Sequence, residues 1–283
     1  MLKIVTDGGA DMPEEWENEY EINILPLTVR FGEHTYLQNV DINKENFYKM
    51  VKEIKEIPKT SLPSIEQIKQ YYRSIVEKGD EILSIHLGSR LSGTFSTVQQ
   101  AAKELEGELT IYPFDSGAGS AVLGFMCRDA RELSKQGATM GEIINRLENI
   151  RKKLTVIFTL DTLEFAYLNG RINAMQSALS SLLKIKPIIV LTDGLLIMAD
   201  KVRTRQKSIE RVLDLVLSRF GRNPVHVAVV HACDPGVAEQ LVNRVKGILN
   251  CNEVVVSELS IPVAANLGPG AVGIIAYQLD EER

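Results

Sequence analysis

Cysteine is scarce in this chain, long unbroken apolar runs are missing, and the common catalytic signatures are absent. The 283 residues hold three cysteines, Cys127, Cys233 and Cys251. They are odd in number, far apart and in no CxxC arrangement, which excludes a disulfide framework or a zinc knuckle and leaves ordinary thiols of a reducing cytosol. The longest apolar neighbourhood is interrupted by Lys184, Lys186 and Asp193, and the opening run Leu2–Thr6 is too short for a secretory signal. A soluble, cytoplasmic chain is therefore expected. No GxxxxGK[ST] phosphate loop, HExxH zinc helix or GxSxG nucleophile elbow occurs, so the common nucleotidase, metalloprotease and hydrolase routes lose their support. Gly268–Gly273 fits GxGxxG formally, but ten residues follow it, too few for a βαβ unit and its ribose-binding acid. Excess positive charge is also lacking. With 32 basic and 37 acidic residues the net charge is −5, which gives no overall attraction to nucleic acid or to anionic membranes.

What is present is enough apolar material, 45% of the residues, for two hydrophobic cores, since single cores stop growing near roughly 250–300 residues. The first half alternates short β-branched runs with helix-period stretches, the pattern of a parallel sheet covered by helices. Strands are expected over 2–6, 81–86 and 109–114. Each is followed by small and hydroxyl residues and then a helix: Asp7–Asp11, Gly88–Gly93 and Asp115–Ser120. Loops of this kind at the carboxyl ends of parallel strands are where open α/β sheets bind ligands, and helix amino termini there suit an anionic head group. Turning the chain and capping helices explains any one of them equally well. Near residue 154 the pattern changes, with strands expected over 154–159, 186–191, 195–199, 225–230 and 253–257. Asp193-Gly194 between two apolar runs signals a hairpin, so this second sheet is expected to be mixed or antiparallel. The division expected is an α/β domain over 1–153, carrying the loops, and a second α/β domain with a mixed sheet over 154–283.

Individual residues divide between structural and functional readings. Ser64 and Gln67 fit a capping box, which makes Ser64 a helix cap and leaves Thr60 and Ser61 unexplained. Ser92 is suited to cap the helix that follows it, while Gly93 admits close approach of a ligand to the backbone. Cap and ligand contact are equally compatible with that segment. The four histidines show no i, i+4 spacing and no adjacent acid pair, so structural roles are their default. Lys201–Lys207 is the one dense basic run, read first as a solvated helix start and second as a partner or phosphate contact.

Taken together, IVTDGGADMP, TSLPS, LSGTFS, DSGAGS, LEFAYLNGRI, IKPII, KVRTRQK and NLGPGAVG resemble, in that order and from end to end, the DegV family of bacterial lipid-binding proteins. The resemblance implies two α/β domains with one long-chain fatty acid buried between them and no catalysis by the chain itself. It implies a carboxylate near Thr60, Ser61, Ser92, Gly93 and Thr94, with Asn266 and Arg171 as further contacts and no cofactor. Two positions depart from the usual pattern: Asn266 stands where many relatives have histidine, so a contact that can become cationic is replaced by one that cannot, and Asn169 stands where they have glycine. The resemblance further implies a separate fatty acid kinase that converts the bound acid to an acyl phosphate for phospholipid synthesis, with Arg203 and Arg205 as docking residues and transient contact with a membrane surface. Two alternatives accompany it: a kinase-like or sugar-binding enzyme, because the fold is similar to the substrate-binding part of dihydroxyacetone kinases, and a carrier of another amphiphile.

Overall fold

The computed structural model describes residues 1–172 and 185–279. Strands β1 (Leu2–Asp7) and β2 (Ile22–Leu25) lead into a small antiparallel sheet of β3 (Thr28–Phe31), β4 (His34–Leu37) and β5 (Lys59–Ser61), ordered β4-β3-β5. Strands β6 (Glu81–His86) and β7 (Thr110–Asp115) complete a parallel sheet ordered β2-β1-β6-β7. Its central strands are buried along almost their whole length, as expected where helices cover both faces.

The remaining strands form one six-stranded sheet: β8 (Leu154–Thr159), β9 (Lys186–Thr192), β10 (Leu195–Val202), β11 (Pro224–His231), β12 (Asn250–Glu258) and β13 (Val272–Gln278), ordered β10-β9-β8-β13-β11-β12. Every pairing in it is antiparallel except β11 with β12, so the sheet is mixed. Asp193 and Gly194 close the β9–β10 hairpin with φ of 49° and 74°, the paired left-handed conformation of a type I′ turn. At the other chain reversal, Gly268 and Gly270 also have positive φ, and a Cβ on Gly270 would lie 2.4 Å from the Asp161 carboxylate. The glycine motif that mimics a dinucleotide loop is thus a turn feeding β13.

The two large sheets meet across the helix Ala121–Lys135, whose residues 121–131 are all buried. It packs against β1 and β6 on one side and β13 on the other, which is why it has no exposed face over three turns and even Arg128, Asp129 and Arg131 are buried. Its cluster takes in Leu83 and Ile85 of β6, Val156 and Phe158 of β8 and Ile275 of β13. The alternate residues Ile157 and Ile274 face the opposite side, under the helices Arg205–Phe220 and Pro235–Ile248. The period of two along these strands therefore decides which side chains look toward the other sheet.

Candidate functional site

The three loops at the carboxyl edge of the parallel sheet are bonded to one another. Gly88 N donates to Ala118 O at 2.7 Å and Ser120 N to Gly9 O at 2.9 Å. Added Cβ atoms on Gly88 would meet the backbone of Gly117 at 2.7 Å, so a side chain there would push the loops apart. Asp7 anchors the edge: its carboxylate accepts from Gly9 N and Leu87 N and lies 3.0 Å from Nδ1 of His86, whose Nε2 is 2.6 Å from Ser84 Oγ. Tyr72 OH completes this buried chain at 2.7 Å from Ser84 Oγ.

Between these loops and the inward face of the six-stranded sheet lies a cavity of about 170 Å³. Leu27, Leu87, Leu91, Val156, Phe158 and Ile275 are representative of its mainly aliphatic wall. All seven sequence-expected contacts, Thr60, Ser61, Ser92, Gly93, Thr94, Arg171 and Asn266, also line it. They come from four separate parts of the fold. Thr60 and Ser61 sit on β5, paired to β3 through Val29. Ser92, Gly93 and Thr94 form the entry to the helix Thr94–Glu104. Asn266 belongs to the helix Ile261–Leu267, and Arg171 follows the helix Glu164–Leu168. Ser61, Leu62 and Gly93 are exposed and mark the mouth. A Cβ on Gly93 would touch Leu62 at 3.0 Å, which brings the two loop segments together there.

The polar groups at this end are arranged so that hydroxyl hydrogens are left over. Asn266 Nδ2 donates to Pro262 O at 2.7 Å and to Thr60 Oγ1 at 3.4 Å. Thr60 Oγ1 is thereby used as an acceptor, and its own O–H remains to be donated. Ser92 Oγ accepts from Thr94 N at 3.2 Å and lies 2.9 Å from Thr94 Oγ1. This corrects one expectation: the N-cap residue is Gly93, which makes no side-chain cap bond, and Ser92 instead holds the first helical N–H from just outside. Ser64 does cap its helix, with both reciprocal bonds to Gln67 formed. Asn266 Oδ1 is buried and without a partner among the described residues. Burial pulls the Arg171 guanidinium below its ordinary pKa, with no carboxylate among the described residues acting on it in the opposite sense.

Two neighbours make contacts to which the sequence assigned no role. Asn169 Nδ2 donates to Pro58 O and Ala265 O at 3.1 and 3.0 Å, tying the approach to β5 to the helix that carries Asn266. Ser120 also lines the cavity, with φ of +61°, a conformation uncommon outside glycine. Its hydroxyl donates to Asp11, which also accepts from Ser260 N at 2.6 Å. Burial pushes the Asp11 carboxyl up, and these two bonds pull it part of the way back. Asp11 precedes the helix of the first loop and Ser260 precedes the helix Ile261–Leu267, so this bond crosses between the halves. Only the run of small residues in DSGAGS hinted at Ser120.

The histidines lie elsewhere. His86 is in the Asp7 chain, His226 Nδ1 is 2.9 Å from Glu253, His231 accepts from Asp234 N, and His34 is exposed on β4. The basic run also divides. Thr204 caps the helix Arg205–Phe220, and Arg205 is held by Asp234 at 3.0 Å and Asp161 at 3.7 Å. Arg203 is exposed.

The family model described as an uncharacterised protein, DegV family, matches residues 1–279. The chain belongs to the DegV family. DegV of Bacillus subtilis is 34% identical over 275 residues, 96% of this chain and 98% of that protein. Among solved structures, a Thermotoga maritima protein described as having a fatty acid binding function is 28% identical, with a TM-score of 0.88 over 98% of this chain and 99% of that one. A stearic acid-binding protein of Eubacterium ventriosum is 26% identical, with a TM-score of 0.87 over 98% of each chain. The DegV architecture of a parallel sheet beside a mixed sheet is the one described above. No helix among the described residues is long and apolar enough to cross a membrane.

Proposed function

We propose that this DegV-family chain binds one long-chain fatty acid in the cavity between its sheets and is itself non-catalytic. In this reading residues 1–153 form the domain that supplies the head-group loops and residues 154–283 the domain whose sheet face encloses the tail. The observation that carries it is a mainly aliphatic cavity whose polar end offers unspent donors. Thr60 and Ser92 have their oxygens occupied as acceptors, and the half-buried Arg171 guanidinium lines the same cavity without an opposing carboxylate among the described residues. A carboxylate accepts from Thr60, from Arg171 and from the Ser92–Thr94 hydroxyl pair, which has one hydrogen to spare whichever of the two donates to the other, and such charge-assisted bonds are about twice as strong as neutral ones. Asn266 Nδ2 is already engaged, so its role is to orient Thr60. The Thermotoga and Eubacterium relatives, described as fatty acid binding proteins, support the same ligand class.

Burial of the acyl chain contributes about 0.8 kcal/mol per methylene relative to water, less the cost of association. Relative to a bilayer that gain vanishes, because the tail leaves one apolar medium for another. The hydrogen bonds at the head then decide whether the acid is extracted from a membrane. The decisive experiment is mass spectrometry of an organic extract of protein purified from a bacterial host. A stoichiometric long-chain fatty acid is expected. A sugar, a different amphiphile, or no ligand in well-folded protein overturns the assignment.

The onward step belongs to the same proposal: a separate fatty acid kinase receives the presented carboxylate and makes an acyl phosphate for phospholipid synthesis, in a cytoplasmic setting with transient membrane contact. Arg203 is the exposed docking cation, whereas Arg205 is committed to Asp161 and Asp234. Rim charges set encounter rate and salt sensitivity. Arg203→Ala should leave the bound acid unchanged and slow acyl-phosphate formation at low salt; equal rates at every salt concentration remove the docking role.

A further inference from the structure

The cavity ends at a row of side chains that the sheet register identifies. Phe158 of β8 pairs with Gly273 of β13, and Val230 of β11 pairs with the same glycine. All three line the cavity, and the glycine makes a hollow in the row. One step along the same face, Val156 pairs with Ile275, and Leu191 of β9 pairs with Leu196 of β10. The β8–β9 pairing ends at Ile157 opposite Val190, so Val156 and Leu191 are the first residues beyond it. The pairs Leu196–Leu191 and Val156–Ile275 thus stand on either side of the point where β8–β9 pairing ends, and all four residues line the cavity as an aliphatic row. The Asn266 end of the cavity lies toward the start of β13, so this row is the end away from the head-group cluster.

One further step along the face lies Leu154, opposite Tyr277, and here the surroundings change. Leu154 is in the wall of a second, larger groove of about 800 Å³, and Val156, Ile157 and Leu191 line both spaces. Val190 and Leu215, from the other face of the sheet, line this groove beside Leu154, together with Thr155, Thr192 and Ser218. Its rim carries Arg90, Arg151, Lys152 and Arg219. Beside the shared row a hydrogen bond joins the two halves. Arg90, from the loop after β6, donates from Nη1 to Asp193 O in the β9–β10 turn at 2.6 Å. The stem of Arg90 lies along Gly194, where an added Cβ would meet it at 3.3 Å.

We propose that the Val156–Leu191 row is the chain-length stop of the acyl site, that the Arg90–Asp193 contact is the clasp closing it, and that the groove beyond accepts the distal methylenes of longer acyl chains. The inference rests on the fatty-acid reading of the cavity and assigns the groove an occupant. Three features fit that occupant. The groove shares Val156, Ile157 and Leu191 with the cavity, so an apolar wall passes from one space to the other. The exposed rim cations Lys152 and Arg219 bring long aliphatic stems whose heads stay in water. The clasp is one side-chain bond from an exposed arginine to a hairpin turn, a contact that opens at small cost compared with moving a sheet. Leu191 and Val156 then discriminate chain length by contact, and Arg90 governs whether the excess length has somewhere to go.

The test uses full-length protein stripped of lipid and equilibrated with an equimolar series of saturated acids from myristic to behenic, the bound species being read by native mass spectrometry. Leu191→Ala should raise the ratio of bound arachidic to palmitic acid on the order of tenfold, each methylene moved from water onto apolar surface being worth about fourfold in affinity. Leu191→Phe should move the distribution toward myristic acid. Arg90→Ala, at the exposed clasp and outside the cores, should admit the longer acids while leaving myristic acid binding unchanged. Stoichiometric binding with one and the same length distribution in wild type and all three variants overturns the stop and its clasp. A wild type that takes up none of these acids overturns the fatty-acid reading itself.

Discussion

The seam between the two sheets is filled in one region and hollow in another, and the contrast lies in how each region uses its polar groups. In the filled region Arg128 is buried between the rings of Trp16 and Phe125, at 5.0 and 5.2 Å. Its guanidinium meets Asp129, Glu253 and Tyr277 OH, and Asp129 is shared with Arg146 at 2.8 Å. Charges taken out of water there are paired with charges, as burial requires. In the hollow region the cavity wall keeps Arg171 without an opposing carboxylate and Asn266 Oδ1 without a partner among the described residues. Buried polar groups seldom go unpartnered in folded proteins. The filled region thus holds the halves together, and the hollow one keeps binding capacity in reserve.

Removing Arg128 breaks the filled side and has the largest effect expected. Arg128→Ala strips Asp129 and Glu253 of their shared cation and deletes the stem packed on Trp16 and Phe125. Truncating one member of a buried ion network costs about 3–5 kcal/mol. Asp129 keeps Arg146, so a loss of about 3 kcal/mol in urea unfolding is expected, with the same fatty acid per folded molecule. A variant of full stability that has lost its ligand would reverse the roles assigned to the two regions.

The hollow side is broken at its hydroxyls. Thr60→Ala and Ser92→Ala should each weaken retention of fatty acid against vesicles by about 1 kcal/mol, more where the bond is charge-assisted. The double variant should be worse than either; unfolding should change by less than about 0.5 kcal/mol in Thr60→Ala and by about 1 kcal/mol in Ser92→Ala, which loses the acceptor of Thr94 N. Exchange at wild-type levels in both single variants would remove these residues from the head-group site.

Much of this contrast is readable before folding. Three strand–loop–helix units put the small-residue loops at one edge, Asp193-Gly194 announces its hairpin, and the TSLPS, LSGT, GRI and NLGPG segments supply residues that meet in a single cavity. What escapes is short or distant. Strands β3, β4 and β5 span four, four and three residues, too few for a period of two to register, so Thr60 and Ser61 had no visible element to sit on. Strand β13 is buried along nearly its whole length, and its continuous apolar run carries no alternation. The Arg205 pairing with Asp161 and Asp234 joins residues far apart in sequence, and no local pattern could have separated Arg205 from Arg203. The partners of Arg128 come from two helices and two strands and are equally invisible.

The smallest effect expected sharpens the filled side by its response to acid. The His226 imidazole, 2.9 Å from Oε2 of Glu253, together with the Arg128 guanidinium, holds the Glu253 carboxyl down from its ordinary 4.5 to about 2. A carboxyl whose pKa is lower in the folded state binds fewer protons there than in the unfolded chain between those two values, so stability falls as pH falls. The contribution of Glu253 is fully present above about pH 4.5 and is lost as the pH drops through about 2. Asp80, paired with the amino terminus and with Glu77 N, is also held to about 2. The acid limb of the wild-type curve therefore has at least two sources, and only a difference isolates one of them. Glu253→Gln keeps a side chain of the same shape and removes the titration. Its unfolding free energy should lie below that of wild type at pH 6 and converge on it toward pH 2, by less than the Arg128→Ala loss because Glu253 is partly exposed. Parallel curves for the two proteins down to pH 2 would show that Glu253 does not contribute to the seam, and would leave Asp129 as the carboxylate, among the described residues, that holds Arg128 in place.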